Sequence, residues 1–123
     1  MPEQSLAVPP KAEGSTTSEA QWTVVARNER VNRAWIDLIR TAGENAAKCY
    51  DYLCTTPMVR KPRRIFPLRG KQYAGAWEYE VTGGDRVFYV PDPKLKKVTV
   101  YYAGSHPEPA PLPPSGSGAA SSR

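Results

Sequence analysis

The stretch WEYEVTGGDRVFYV, residues 77–90, decides the fold that the sequence predicts. In its first five positions apolar residues alternate with two glutamates, a period of two that is typical of a strand with one buried face. The next four residues, TGGD, favour a turn, and residues 86–90 predict a second strand that Pro91 ends. The stretch therefore predicts a β-hairpin.

Two further strand signals lie outside this hairpin. Residues 98–103 predict a third strand of the same meander, with Val98, Val100 and Tyr102 on one face. Residues 22–25 form a short β-prone run far upstream.

Two helices are predicted between these segments. Asn28 is a good N-cap for the first helix, and Gly43 favours its end. The second helix begins at Glu44 and ends before Pro57, since a residue that precedes proline leaves the helical region. The apolar stripes are Val31, Trp35, Leu38, Ile39 and Ala42 in the first helix and Ala46, Cys49, Tyr50, Leu53 and Cys54 in the second. We therefore expect an α+β fold of order β-α-α-β-β-β, in which an antiparallel two-helix hairpin packs on a small, mainly antiparallel sheet.

The composition of the two ends predicts tails around one small domain. Of the 13 prolines in the 123 residues, eight lie in the end segments. We expect a disordered segment over residues 1–20, a folded domain over 21–107, and a disordered Pro/Ser/Gly-rich tail over 108–123. The tail has PxxP-like spacing at Pro111 and Pro114, and we expect it to be solvated.

Several classes of protein are excluded by the same composition. No apolar run approaches the roughly 20 residues that span a membrane, and the N-terminus does not resemble a secretory signal. The two cysteines form no disulfide framework, and the single histidine, His106, lies far from them. We expect a cytoplasmic protein with reduced thiols and with no metal, membrane or small-molecule cofactor.

A run of positive charge lies between the second helix and residue 77. From Pro57 to Trp77 no acidic residue occurs, and six basic residues do: Arg60, Lys61, Arg63, Arg64, Arg69 and Lys71. Clustered cations neutralise phosphates, and the interleaved aromatic rings can stack on unpaired bases. The run favours RNA binding and a solvated loop about equally on composition alone.

Arg86 and His106 are the remaining candidates for chemistry. A turn of two or four residues would place Arg86 on the face of Trp77, and one of three or five residues would place it beside Glu78 and Glu80. His106 is the only side chain that ordinarily titrates near neutral pH, although a lone surface histidine is more often inert.

Taken in order, several short motifs between residues 22 and 107 resemble the RelE/ParE toxin superfamily. They are Leu68-Arg69-Gly70, the run WEYEV at 77–81, the run GDRVFY at 84–89, Val98-Thr99-Val100 and Gly104-Ser105-His106.

The resemblance implies the toxin of a type II toxin–antitoxin system, held by a cognate antitoxin protein. Ribonuclease members of that family cut mRNA on the ribosome without metal, because the RNA 2′-hydroxyl attacks its own phosphodiester. Arg86 matches the family's phosphate-binding arginine, and His106 matches a histidine that some ribonuclease members carry after Gly-Ser.

The chain departs from the family pattern at Glu78 and Glu80, where the best-known member has two lysines. A glutamate cannot hold a phosphate, but one of these carboxylates can serve as general base. The departure leaves two alternatives open: a non-enzymatic ParE-like toxin that binds DNA gyrase, and an inactive relative that binds antitoxin or nucleic acid.

Overall fold

A six-stranded sheet with two helices forms the framework of the protein, as a computed structural model that describes residues 3–12 and 21–114 shows. The strands are β1 (Gln4–Ser5), β2 (Thr23–Ala26), β3 (Ile65–Pro67), β4 (Trp77–Glu80), β5 (Asp85–Asp92) and β6 (Lys97–Ser105), and the helices are α1 (Glu29–Thr41) and α2 (Gly43–Thr55). The sheet order is β1-β2-β6-β5-β4-β3, and every neighbouring pair is antiparallel except β2 and β6. The expected α+β class is confirmed.

Helix α1 begins and packs as its sequence predicts. The Asn28 side chain accepts a hydrogen bond from the Val31 backbone N–H at 3.0 Å, which satisfies one of the free donors of the first turn. Val31, Trp35 and Leu38 are buried in the main core. The predicted end of α1 is confirmed, since Ala42 is its C-cap and Gly43 follows as the C′ residue. Ala42 itself leaves the helical region, with φ −141° and ψ 52°, and Gly43 is already the first residue of α2.

The sheet separates two apolar clusters. The main core lies between the helices and one face of the sheet, and it includes Trp77, Tyr79, Val87 and Tyr89. The opposite face, called here the open face, carries a smaller cluster of Ala76, Phe88, Val90 and Tyr101. The alternation that predicted β4 therefore places its aromatic residues against the helices and its glutamates on the open face.

A β-bulge corrects the predicted phase of β6. The pairing of β5 with β6 shifts between Phe88 and Tyr89, so that Tyr102 lies opposite Phe88 and Val100 opposite Tyr89. The extra residue, Tyr101, lets both Tyr101 and Tyr102 contact the Phe88 ring, with ring centroids 6.1 and 5.7 Å apart. The prediction that Tyr102 shares a face with Val98 and Val100 is therefore wrong.

The prediction of a disordered N-terminus is wrong for residues 3–12. β1 extends the sheet, and Leu6 is 2% exposed in the main core. Two α1 side chains hold the segment by its backbone: Asn32 Oδ1 accepts from Ala7 N–H at 2.9 Å, and Trp35 Nε1 donates to Ala7 O at 2.7 Å. The folded unit therefore begins before residue 21.

The prediction of a disordered, solvated tail over 108–123 is wrong for residues 108–114, which form one segment with Pro107 over residues 107–114. This segment, called here the strap, lies on the open face because two tyrosine hydroxyls donate to its carbonyl oxygens. The rest of both predicted tails, residues 1–2, 13–20 and 115–123, lies outside the described part of the chain.

Candidate functional site

The connection between β4 and β5 settles which face Arg86 occupies. Glu80 pairs with Arg86 across the two strands, so five residues, 81–85, separate the partners. Thr82 and Asp85 close this connection, because the Thr82 hydroxyl donates to Asp85 Oδ2 at 2.9 Å and accepts from the Asp85 N–H at 3.1 Å. Arg86 therefore lies beside the glutamates on the open face, which is one of the two placements that the sequence allowed.

The guanidinium of Arg86 is held in a fixed position by four acceptors. Its Nε donates to Glu78 Oε2 at 3.2 Å. Its Nη1 donates to three turn carbonyls, those of Thr82 at 2.8 Å, Gly83 at 3.2 Å and Asp85 at 3.1 Å. The Arg86 and Glu78 side chains are only 15% and 12% exposed, so this ion pair is screened little by water.

His106 approaches the same carboxylate from the end of β6. Its Nε2 lies 3.8 Å from Glu78 Oε2, an ion pair when the imidazole carries a proton. Its backbone N–H donates to Gly84 O at 2.9 Å, which ties the residue to the turn that also holds Arg86. The His106 side chain is 44% exposed, so a molecule on the open face can reach it. Glu78, Arg86 and His106 form what we call the Glu78 cluster.

The fourth predicted catalytic residue, Glu80, stands next to this cluster. It lies directly opposite Arg86 in the strand pairing and is half-buried, and its backbone carbonyl accepts from Arg64 Nη2 at 3.0 Å. In the structure the charge of Arg86 is paired with Glu78.

Gly104, which belongs to one of the motifs quoted above, and two tyrosines that the sequence did not indicate as site residues complete the surroundings of the cluster. Gly104 has φ +144°, a conformation that favours glycine, and a Cβ at this position would lie 3.7 Å from the Tyr102 hydroxyl. That hydroxyl donates to Ser105 O at 2.5 Å and fixes the end of β6 just before His106. Burial raises the pKa of Tyr101 well above its ordinary value, and the nearby Tyr73 hydroxyl and Glu78 carboxylate raise it further.

The six basic residues of the predicted RNA-binding run are all exposed. Lys61 and Arg64 line a groove of about 450 Å³ on the helix side of the sheet, together with Lys48 of α2. Arg69 and Lys71 lie between Leu68 and Tyr73, two residues that pack on the open face. The sheet edge at β3 therefore divides the run.

The described residues contain neither a metal-binding cluster nor a membrane-spanning helix. Within residues 3–12 and 21–114, no three His, Cys, Asp or Glu side chains come together to hold a metal ion. In the same part of the chain, no helix is long and apolar enough to cross a membrane.

Comparisons with known proteins give one finding of note. Neither a protein-family model nor a curated protein matches the chain. A search of solved structures finds the crystal structure of the toxin–antitoxin complex RelBE2 from Mycobacterium tuberculosis, with a TM-score of 0.49 and 20% sequence identity. The match covers 70% of this chain and 99% of that chain. A likeness of this extent concerns the arrangement of the elements and says nothing of activity.

Proposed function

We propose that this protein is the toxin of a type II toxin–antitoxin pair and that it cleaves mRNA on the ribosome. The proposal rests on one observation above the others: the side chains of Arg86 and His106, which come from different strands, meet at the same oxygen of Glu78. The order of motifs that resemble the RelE/ParE toxins supports the choice of function.

The proposed reaction is attack of the RNA 2′-hydroxyl on its own phosphodiester, without metal. The enzyme must then remove one proton, stabilise the charge added at phosphorus, and protonate the departing 5′-oxygen. His106 has the exposure and the chemistry to transfer the proton to the 5′-oxygen, with Glu78 orienting its ring. Arg86 presents a fixed positive charge, because its position is already set by four acceptors before RNA arrives.

A general base is also required, and Glu80 is the better of the two glutamates for that role. Glu78 is already engaged, because Arg86 Nε donates to its Oε2 at 3.2 Å. Glu80 lies across from Arg86 on the same face. The general base in this proposal is therefore Glu80, with Glu78 as the residue that positions its two neighbours.

The divided basic run suggests two contacts rather than one. Arg69 and Lys71 lie between two residues that pack on the open face, so they are suited to RNA phosphates on that side of the sheet. Lys61 and Arg64 line the groove on the helix side, where they are suited to another stretch of RNA or to an acidic antitoxin.

One observation favours the non-enzymatic, gyrase-binding alternative. Glu78 neutralises Arg86 within a mostly buried pair, and a protein that only binds its target has no need of a free catalytic charge. This alternative predicts the same fold with no cleavage of RNA.

The test is a cleavage assay on purified ribosomes programmed with a defined mRNA. The expected products carry a 2′,3′-cyclic phosphate, and a single 2′-deoxy nucleotide at the scissile position abolishes cutting there. Lys94→Gln serves as the control variant, because Lys94 is an exposed cation in the β5–β6 turn, away from the cluster. Intact mRNA, or cutting that persists at the 2′-deoxy nucleotide, would contradict the proposal.

A further inference from the structure

The strap makes an unusual kind of contact with the open face. Tyr73 donates its hydroxyl to Ala110 O at 3.1 Å, and Tyr101 donates its hydroxyl to Pro111 O at 3.1 Å. The Ala110 side chain packs against the open-face cluster that contains Phe88 and Tyr101. The strap is thus held by two backbone oxygens and one methyl group.

The chemistry of the strap explains this mode of contact. Five of its eight residues are proline, so only Glu108, Ala110 and Leu112 retain a backbone N–H. In the structure this segment is not a strand, and its alternating prolines favour the polyproline II conformation, which needs no hydrogen-bond ladder. It can offer carbonyl oxygens, and a surface of aromatic rings with hydroxyl donors is the complement that such segments require.

We propose that Tyr73, Phe88 and Tyr101 form a binding surface for proline-rich segments, and that the strap is its ligand within the same chain. A proline-rich segment of another protein would occupy the surface in place of the strap. This inference does not depend on the proposed ribonuclease activity.

The contact of the strap with this surface has the features of an exchangeable one. Two neutral hydrogen bonds hold it, and Glu108, Pro109 and Leu112 are exposed, with Leu112 58% exposed. Because the two hydrogen bonds go to backbone oxygens, they do not require the side chains of this particular segment. Because the strap belongs to the same chain as the surface, its effective concentration at the surface is on the order of millimolar.

The experiment compares the full-length parent with a full-length strap variant, in which residues 108–114 are replaced by an alternating Gly-Ser run. Binding of the synthetic peptide PEPAPLPP is measured by NMR titration of the tyrosine ring signals. The strap variant is expected to bind the peptide at least about tenfold more tightly than the parent, since the site is no longer occupied. In the strap variant, Tyr73→Phe and Tyr101→Phe are each expected to weaken binding about two- to tenfold, the contribution of one hydrogen bond.

Tyr102→Phe is the matched control, because the Tyr102 hydroxyl donates within its own turn to Ser105 O and should leave peptide affinity unchanged. The proposal is overturned if the folded strap variant does not bind the peptide, or if parent and strap variant bind it equally. It is also overturned if the proline-free peptide AEAAALAA binds as well, or if the uncovered face prefers an oligouridine to PEPAPLPP.

A second measurement needs only the parent and one double variant. The Ala110 methyl signal of the parent should be shifted by the ring currents of the open-face cluster. It should move toward its random-coil position in a chain that carries both Tyr73→Phe and Tyr101→Phe. A random-coil position in the parent itself would show that the strap does not occupy this surface.

Discussion

Glu78 Oε2 lies 3.2 Å from Arg86 Nε, and the two side chains are almost buried on a face of the sheet that the helices do not cover. Removing charges from water costs several kcal/mol, so an almost buried ion pair is stable only where hydrogen bonds of good geometry satisfy its charged groups. Here the Arg86 guanidinium meets that condition through Glu78 and three turn carbonyls.

The two glutamates of β4 should differ in their effect on stability. Glu78→Gln leaves the mostly buried charge of Arg86 without a counter-charge and is expected to lower the free energy of unfolding by about 2 kcal/mol at neutral pH. Glu80→Gln removes the same charge from the same strand face without breaking the pair, and it should change stability by less than about 0.5 kcal/mol. Urea denaturation measures both, and equal effects would show that the pair with Arg86 does not form.

Residues 3–12, called here the N-terminal arm, should contribute to stability because Leu6 is part of the main core. Leu6 is 2% exposed, so Leu6→Ala is expected to cost about 2–4 kcal/mol through lost burial and the remaining cavity. Val8 is 52% exposed two residues along, and Val8→Ala should cost less than about 0.5 kcal/mol. Equal losses of stability for Leu6→Ala and Val8→Ala, measured by thermal unfolding, would show that the arm is not docked in solution.

Leu38 tests the phase of α1. It is 4% exposed and faces the main core, and Leu38→Ala is expected to cost about 2–4 kcal/mol. The exposed neighbour Arg40 gives the control Arg40→Ala, whose effect should be small because the ion pair of Arg40 with Asp37 is itself exposed. A loss below about 1 kcal/mol for Leu38→Ala would contradict the observed helix phase.

Stability should fall at alkaline pH because of buried tyrosines. Burial raises the pKa of Tyr79, Tyr89 and Tyr101 well above the ordinary value of 10.0. The unfolded chain therefore loses these hydroxyl protons above pH 10 while the folded chain keeps them. As a result, the contribution of these tyrosines to the free energy of unfolding is fully present below pH 10 and declines above it. Each such tyrosine contributes a loss of about 1.4 kcal/mol between pH 9 and pH 11.

Tyr89→Phe isolates one of these contributions. The variant loses the hydrogen bond from the Tyr89 hydroxyl to Pro57 O at 2.8 Å and should be less stable than the parent at pH 8. The gap between variant and parent should narrow by about 1.4 kcal/mol between pH 9 and pH 11. Tyr102→Phe, at a partly exposed ring, is the control variant. A difference in the free energy of unfolding between Tyr89→Phe and the parent that stays constant from pH 9 to pH 11 would contradict the account.

Local signals were sufficient to predict the two helices and the strands β2, β4, β5 and β6, but not β1 or β3. The Asn28 cap, the apolar stripe of α1 and the alternation in β4 each depend on neighbours within one or two turns or along one strand. These signals also placed Glu78 and Glu80 on one strand face, opposite the aromatic residues of β4.

The remaining features depend on partners that are distant in the sequence. The turn TGGD is compatible with more than one pairing of β4 with β5, so the position of Arg86 followed only from the observed register with Glu80. The bulge at Tyr101 has no local signature. Burial of Leu6 depends on Asn32 and Trp35 of α1, and docking of the strap depends on the hydroxyls of Tyr73 and Tyr101, so composition alone predicted disorder for both segments.

The proposed ribonuclease activity is tested most directly by mapping mRNA ends in cells that express the parent or His106→Gln. His106 is partly exposed at the end of β6, so His106→Gln should fold as stably as the parent. Expression of the parent should arrest growth, and primer extension should show new 5′ ends within translated mRNA. The variant His106→Gln should show about a hundred- to ten-thousandfold less of that cleavage. New 5′ ends at the same positions and level in His106→Gln, or their absence from the parent, would contradict the account.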